Sequence, residues 1–205
     1  MLGHLQRYKK FCMESTTDIK NKLTVYLPAL RKWVEETVAQ HKHLSEAVPV
    51  YLFPQLSSCF NSTTLTQTRV VKTDRLPIPP LSKLGLSKLA DFEHAGATGY
   101  HAITLLDTYF IRPEFFNEEQ VHFHELIHII QWKYLEVDKF LLSYGIGLLQ
   151  HGYWQSPLEV MARRLTEEWC SSKDKPAKPH PVPSIEQQVY ALLEKDFLPY
   201  LQQFP

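Results

Sequence analysis

The sequence predicts an α+β fold, mainly helical, with a small antiparallel sheet beside the one helix that carries the chemistry. Three features point there: a long helical-period run after Thr16, short β-branched segments at 68–73 and 99–113, and an almost wholly apolar helix around His124-Glu125-Leu126-Ile127-His128. The 205 residues, 44% of them apolar, suffice for one core with room for an added arm. Lys plus Arg equals Asp plus Glu at 22 each, so no charge excess points to nucleic acid or to a membrane surface as a partner. No stretch approaches the roughly 18 apolar residues of a membrane span, and the N-terminal residues carry no run of signal-peptide length. Cys12, Cys59 and Cys170 are odd in number and unrelated in spacing, which points to reduced thiols and a cytoplasmic location.

Thr16 to His43 reads as a packing helix, with Ile19, Leu23, Tyr26, Leu27, Leu30, Trp33, Val34 and Val38 at helical spacing and Pro28 kinking or dividing the run. Val48–Phe53 and Thr68–Thr73 read as short strands separated by the polar loop SSCFNSTT, and Leu81–Phe92 as a short helix. Gly99–Pro113 reads as a hairpin turning at Leu106–Thr108. Beside a hydrolytic centre, its edge could receive an extended peptide by strand addition, and the same residues also fit a plain core hairpin. After Leu135 a break at Glu136–Asp138 leads into a second apolar helix, whose Gly145 and Gly147 imply a close helix contact. The organisation expected is one domain over residues 1–171, with its core at about 99–171 and an N-terminal helix and strands within 16–98. A proline-rich linker follows at 172–183, then a C-terminal helix at 184–205 that packs on the domain. Ser184 and Gln187 form its capping box, and Ile185, Val189, Leu192, Leu193 and Phe197 its apolar face.

The central helix starts from Asn117 as N-cap, with Gln120 at the third helical position and Glu118 and Glu119 beside the positive end of the helix dipole. Residues four apart share a helix face, so His124 and His128 can offer two imidazoles to one metal ion. Glu125, about 100° round the helix, can act as a base. Apolar neighbours on nearly every side mean that these polar groups need partners, and metal ligation would satisfy all of them together. A catalytic zinc ion takes a third protein ligand and keeps one position open. The metzincin pattern would need Gly at 131 and His at 134, where this chain has Gln131 and Tyr134. Glu159, in the first turn of a helix begun by Ser156-Pro157, is the leading candidate, yet Ser156 to Glu159 also fits a capping box. His151 is chemically suited as well, whereas Glu136 and Asp138 sit close to the end of the first helix. For a second electrophile the connector offers His151 and Tyr153, of which Tyr153 is preferred.

HELIHIIQW, followed by the glycine-containing helix and GYWQSPLEVMARR, resembles the zincin superfamily of metallopeptidases in its gluzincin branch. AITLLDTYFIRP, HELIHIIQ and PLEVMA are similar to a family of short bacterial H-E-x-x-H domains. The likeness spans about Ala102 to Arg164, roughly a third of the chain. It implies a zincin-like domain with Zn2+ held by His124, His128 and Glu159. The implied reaction is hydrolysis of a peptide or protein substrate by a water that zinc acidifies and Glu125 deprotonates. A zincin-like module that keeps its metal for stability and serves as a binding or regulatory protein is the alternative. Two positions depart from the pattern: Leu106-Asp107 stands where Gly-Asn would turn the hairpin, and Arg163 stands where an Asp would orient a ligand imidazole.

Overall fold

The computed structural model describes residues 16–83, 86, 93, 99–172 and 184–197. Within them the chain is α+β and mainly helical. Helix α1 (Thr16–His41) is followed by strand β1 (Glu46–Ala47), short helices α2 (Leu56–Cys59) and α3 (Ser62–Gln67), and strand β2 (Arg69–Lys72). The hairpin β3 (Ala102–Leu105) and β4 (Thr108–Ile111) comes next, then α4 (Glu119–His151), α5 (Pro157–Ser172) and α6 (Ile185–Leu192) with a π turn at Leu193–Phe197. The linker 173–183, Cys12, most of the helix expected at Leu81–Phe92, and residues 198–205 lie outside the described residues, while Leu81 to Lys83 form a turn.

The sheet runs in the order β1-β2-β4-β3 and is mixed rather than antiparallel. β1 and β2 pair antiparallel, as do β3 and β4, but β2 runs parallel to β4 with Val70 opposite Tyr109. A parallel pair needs a long crossover, which residues 73–107 supply. Expecting neighbours in sequence to pair misses it. The hairpin turns through Leu106 and Asp107, with Leu106 at φ 58°, so a leucine takes the left-handed position that glycine or asparagine would occupy more easily.

Val48–Phe53 is not a strand. Leu52 and Phe53 both donate to the Pro49 carbonyl, so the prolines fold the segment into a turn, and the strand is the preceding pair Glu46–Ala47. The polar loop is also corrected. It forms α2 and α3, pinned by buried Leu56, Phe60 and Leu65, with too few apolar positions to print a period. Pro28 sits inside an unbroken α1.

Helix α4 begins one residue later than expected, at Glu119, with Glu118 as an N-cap that makes no side-chain cap bond, so Asn117 does not cap it. Its first half is buried on every face from Glu125 to Trp132, and a single non-helical residue, Glu136 (φ 60°, ψ 169°), separates it from the second half. That second half leans on two neighbours where its glycines allow. A Cβ at Gly145 would stand 3.1 Å from Leu23 of α1, and one at Gly147 would stand 2.6 Å from Ser156 Oγ at the start of α5. α5 presents Leu158, Met161, Ala162, Leu165 and Trp169 to the core, where Trp169 stacks on Phe123 with centroids 4.2 Å apart, worth about 0.5–1.5 kcal/mol beyond area burial.

The C-terminal helix packs against α4. Its Ser184–Gln187 capping box forms, and Ile185, Val189, Leu193 and Phe197 enter the same core as α4 and the sheet. Glu186 accepts the Asn61 amide at 2.7 Å, and Tyr134 donates to Glu194 at 2.9 Å. Cys59 and Cys170 are free thiols. No helix among the described residues is long and apolar enough to cross a membrane.

Candidate metal centre

Two elements meet at the centre: the first half of α4 and the first turn of α5. They bring together His124, His128 and Glu159, each offering one ligand atom, all within 4.8 Å of one another. His124 Nε2 lies 3.1 Å from His128 Nε2. Glu159 Oε2 is 3.5 Å from His124 Nε2, and Oε1 is 3.4 Å from His128 Nε2. A tetrahedron with bonds of roughly 2.0–2.1 Å has edges of roughly 3.3–3.4 Å; the two imidazole nitrogens, and a carboxylate that turns a different oxygen to each of them, lie near that scale. The Glu159 carboxylate is only 3% exposed, and its Oε2 has no hydrogen-bond donor. The neighbours of that oxygen at 3.5 Å, His124 Nε2 and Arg163 Nη1, make no hydrogen bond to it, and a cation between the carboxylate and the two imidazoles would satisfy it, so the residues fit a divalent metal.

The other candidates stand elsewhere. His151 is exposed at the C-terminal end of α4, Asp138 pairs at the surface with Arg31 at 3.2 Å, and Glu136 is exposed at the break in α4. The capping-box reading of Glu159 also fails, because the carboxylate accepts from Tyr144 at 2.7 Å and faces the histidines instead of closing a cap on Ser156.

Around the trio is a set of supports. Gln131 Oε1 accepts from His128 Nδ1 at 2.8 Å, and its amide nitrogen donates to the Leu158 carbonyl at 3.0 Å, which leaves His128 Nε2 as the ring nitrogen that faces the other two groups. Gln131 thus orients the imidazole, the job left open by Arg163, and such partners typically carry about 10- to 100-fold in metal affinity. Arg163 itself lies with Nη1 3.5 Å from Glu159 Oε2 and its guanidinium 5.3 Å from the Trp154 ring, held by the Trp154 carbonyl. Glu125 is buried, and its Oε2 accepts the Thr104 hydroxyl at 2.6 Å, a short charge-assisted bond from β3. His122, next but one to His124, is not part of the centre. It donates from Nε2 to Phe116 O, accepts the Tyr109 hydroxyl at Nδ1, and burial lowers its pKa, so it is a neutral core histidine.

The charges follow from this packing. Burial opposes a proton on His128, but the facing Glu159 carboxylate outweighs it, with Glu125 and Gln131 adding to the effect, and the pKa is pushed up to about 9. Burial equally opposes ionisation of Glu159, and His128 and His124 overcome it, holding the carboxyl well below the usual range. In the metal-free chain the raised His128 value therefore contributes stability that is complete below about pH 6.5 and fades as pH rises through 9. A bound metal must displace this proton. Zinc affinity should rise about tenfold per pH unit towards pH 9 and then level off, with about one proton released per ion near pH 7. Calorimetric titration in buffers of different ionisation enthalpy measures that release, and a pH-independent affinity between 6.5 and 8.5 would contradict it.

The centre opens two ways. On one side is a cleft of about 440 Å³ that reaches Gly99, His101, Gln120, Trp154, Arg163 and Thr166; on the other is an apolar cavity of about 100 Å³. Tyr153 lines both, its ring stacked on Tyr100 at 4.6 Å. Burial, reinforced by the Glu159 and Glu125 charges, pushes its hydroxyl far above the usual phenol range, so it stays an O–H donor. β3 is the sheet edge here. Because Leu105 and Thr108 pair across a two-residue turn, the backbone groups of Ala102 and Thr104 point away from β4; the Thr104 carbonyl is taken by the Trp132 indole at 3.1 Å, and Ala102 borders the cleft.

Sequence reasoning reached His124, Glu125, His128, Glu159 and Tyr153, and the structure brings all five to one place. It missed Thr104, Tyr144 and the role of Gln131. Only Gln131 carried a readable signal, three residues beyond His128 on the same helix face; the other two arrive by tertiary packing. Set against family models, curated proteins and solved structures, the chain matches none of them.

Proposed function

We propose that this chain is a zinc-dependent metallopeptidase, with His124, His128 and Glu159 as the ligands, Glu125 as general base and Tyr153 as oxyanion donor. The observation that carries the reading is the convergence of His124, His128 and Glu159, one ligand atom from each lying within 4.8 Å of the others, with Glu125 lining the same pocket. Bound zinc would supply Lewis-acid polarisation of the scissile carbonyl and acidify the attacking water. Glu125 keeps one oxygen on Thr104 and so presents a fixed carboxylate, which takes a proton from the water as its oxygen bonds to the carbonyl carbon. As the C–N bond breaks, Glu125 returns that proton to the leaving amine. The Tyr153 hydroxyl, kept protonated by its surroundings, donates to the oxygen on which negative charge develops. An extended peptide would lie along residues 99–102, using the outward backbone groups of Ala102, with side chains reaching the cleft and the cavity.

The test is a broad peptide library incubated with the zinc-loaded chain. Cleavage that stops when 1,10-phenanthroline removes the metal and returns with added zinc is the expected result. Full metal occupancy with no cleavage of any library member, or cleavage indifferent to the chelator, would overturn the peptidase reading.

A further inference from the structure

Helix α1 lies outside the H-E-x-x-H segment, and its spacing alone reads as packing. The structure assigns it more. Leu23, Leu27, Leu30 and Val34, successive turns of one face, line the apolar pocket that His124, Glu125, His128 and Glu159 also border. The space is a partly open pocket of about 100 Å³ with a mostly apolar wall and the candidate centre at its border, the composition of a small-ligand site. The cavity shares Tyr100, Ala102, His124, Glu125 and Tyr153 with the open cleft, so the two spaces adjoin at the candidate centre. Apart from the centre's own residues, no charged side chain among the described residues lines it. A charged group seated against the α1 wall would lose water and find no ionic partner on that wall.

We propose that α1 forms the wall of a specificity pocket, which accepts one uncharged aliphatic side chain or acyl group of about four carbons next to the scissile carbonyl. The size follows by scaling, since a cavity of about 150 Å³ takes benzene. This pocket rests on the metal reading of the centre, and the experiment separates the two. The probes are hydroxamates, which bind metal through one end, titrated into the zinc-loaded chain. Acetohydroxamate has no tail, 4-methylpentanohydroxamate ends in an isobutyl group, and 4-aminobutanohydroxamate ends in a charge. In the unaltered chain the isobutyl tail should tighten binding at least about tenfold over acetohydroxamate, and the charged tail should add nothing. Leu27→Phe and Leu30→Phe, which fill the cavity from α1, should each erase the tenfold advantage and leave acetohydroxamate affinity unchanged. An advantage that survives both fillings, or a charged tail that binds as tightly as isobutyl, overturns the pocket while the centre stands. Failure of acetohydroxamate itself to bind the unaltered zinc-loaded chain overturns the metal centre, and the pocket with it.

Discussion

Glu125→Gln is expected to leave zinc content near one per chain and to reduce peptide cleavage by roughly 10²- to 10⁴-fold, the usual contribution of a positioned general base. Gln has the same shape and can still accept the Thr104 hydroxyl, so the buried contact at 2.6 Å has a replacement acceptor and the helix keeps its partners. What disappears is the ability to take and return a proton. Glu125 stands outside the His124, His128 and Glu159 group, so metal retention should not follow activity downwards. Metal analysis and library cleavage, measured on the same preparation, read both quantities. Cleavage undiminished in the variant would remove Glu125 from the role of base. Zinc lost with activity would recast it as a ligand.

The second large effect is at Glu159. Apparent affinities of structural zinc sites correspond to about 10–16 kcal/mol shared among four ligands, so removing one should weaken binding by roughly 10²- to 10³-fold. Glu159→Ala is therefore expected to lose zinc on dialysis, whereas His151→Ala, changed at an exposed helix end, should keep it. Because Glu159 is buried and accepts from Tyr144, Glu159→Gln provides the control for folding: it preserves volume and a hydrogen-bond acceptor, and should also bind zinc weakly. Loss of zinc only in the His151 variant would overturn the assignment of the third ligand.

How far the sequence was legible depended on whether the relevant physics was local. The spacing of His124 and His128 and the apolar collar around them are properties of a single helix, and the folded chain has both; Gly145 and Gly147 signalled a close approach but not its partners, Leu23 and Ser156. The capping box of Ser184 and Gln187 forms for the same reason. Ser156 to Glu159 has the same pattern on paper, but burial against two imidazoles outweighs a local cap, and only the meeting of α4 with α5 decides it. Sheet order was hidden because the β2–β4 pairing spans a long connection, and Val48–Phe53 misled because its apolar content came without the backbone freedom a strand needs beside Pro49. Thr104 and Tyr144 look like ordinary strand and helix residues until the chain closes around Glu125 and Glu159.

Zinc K-edge X-ray absorption on the chain loaded with one equivalent of zinc and dialysed tests the coordination directly. The spectrum should fit four light-atom ligands at roughly 2.0–2.1 Å, with the multiple-scattering signature of two imidazoles and no sulfur. A sulfur ligand at roughly 2.3 Å, no imidazole scattering, or no zinc left after dialysis would contradict the account.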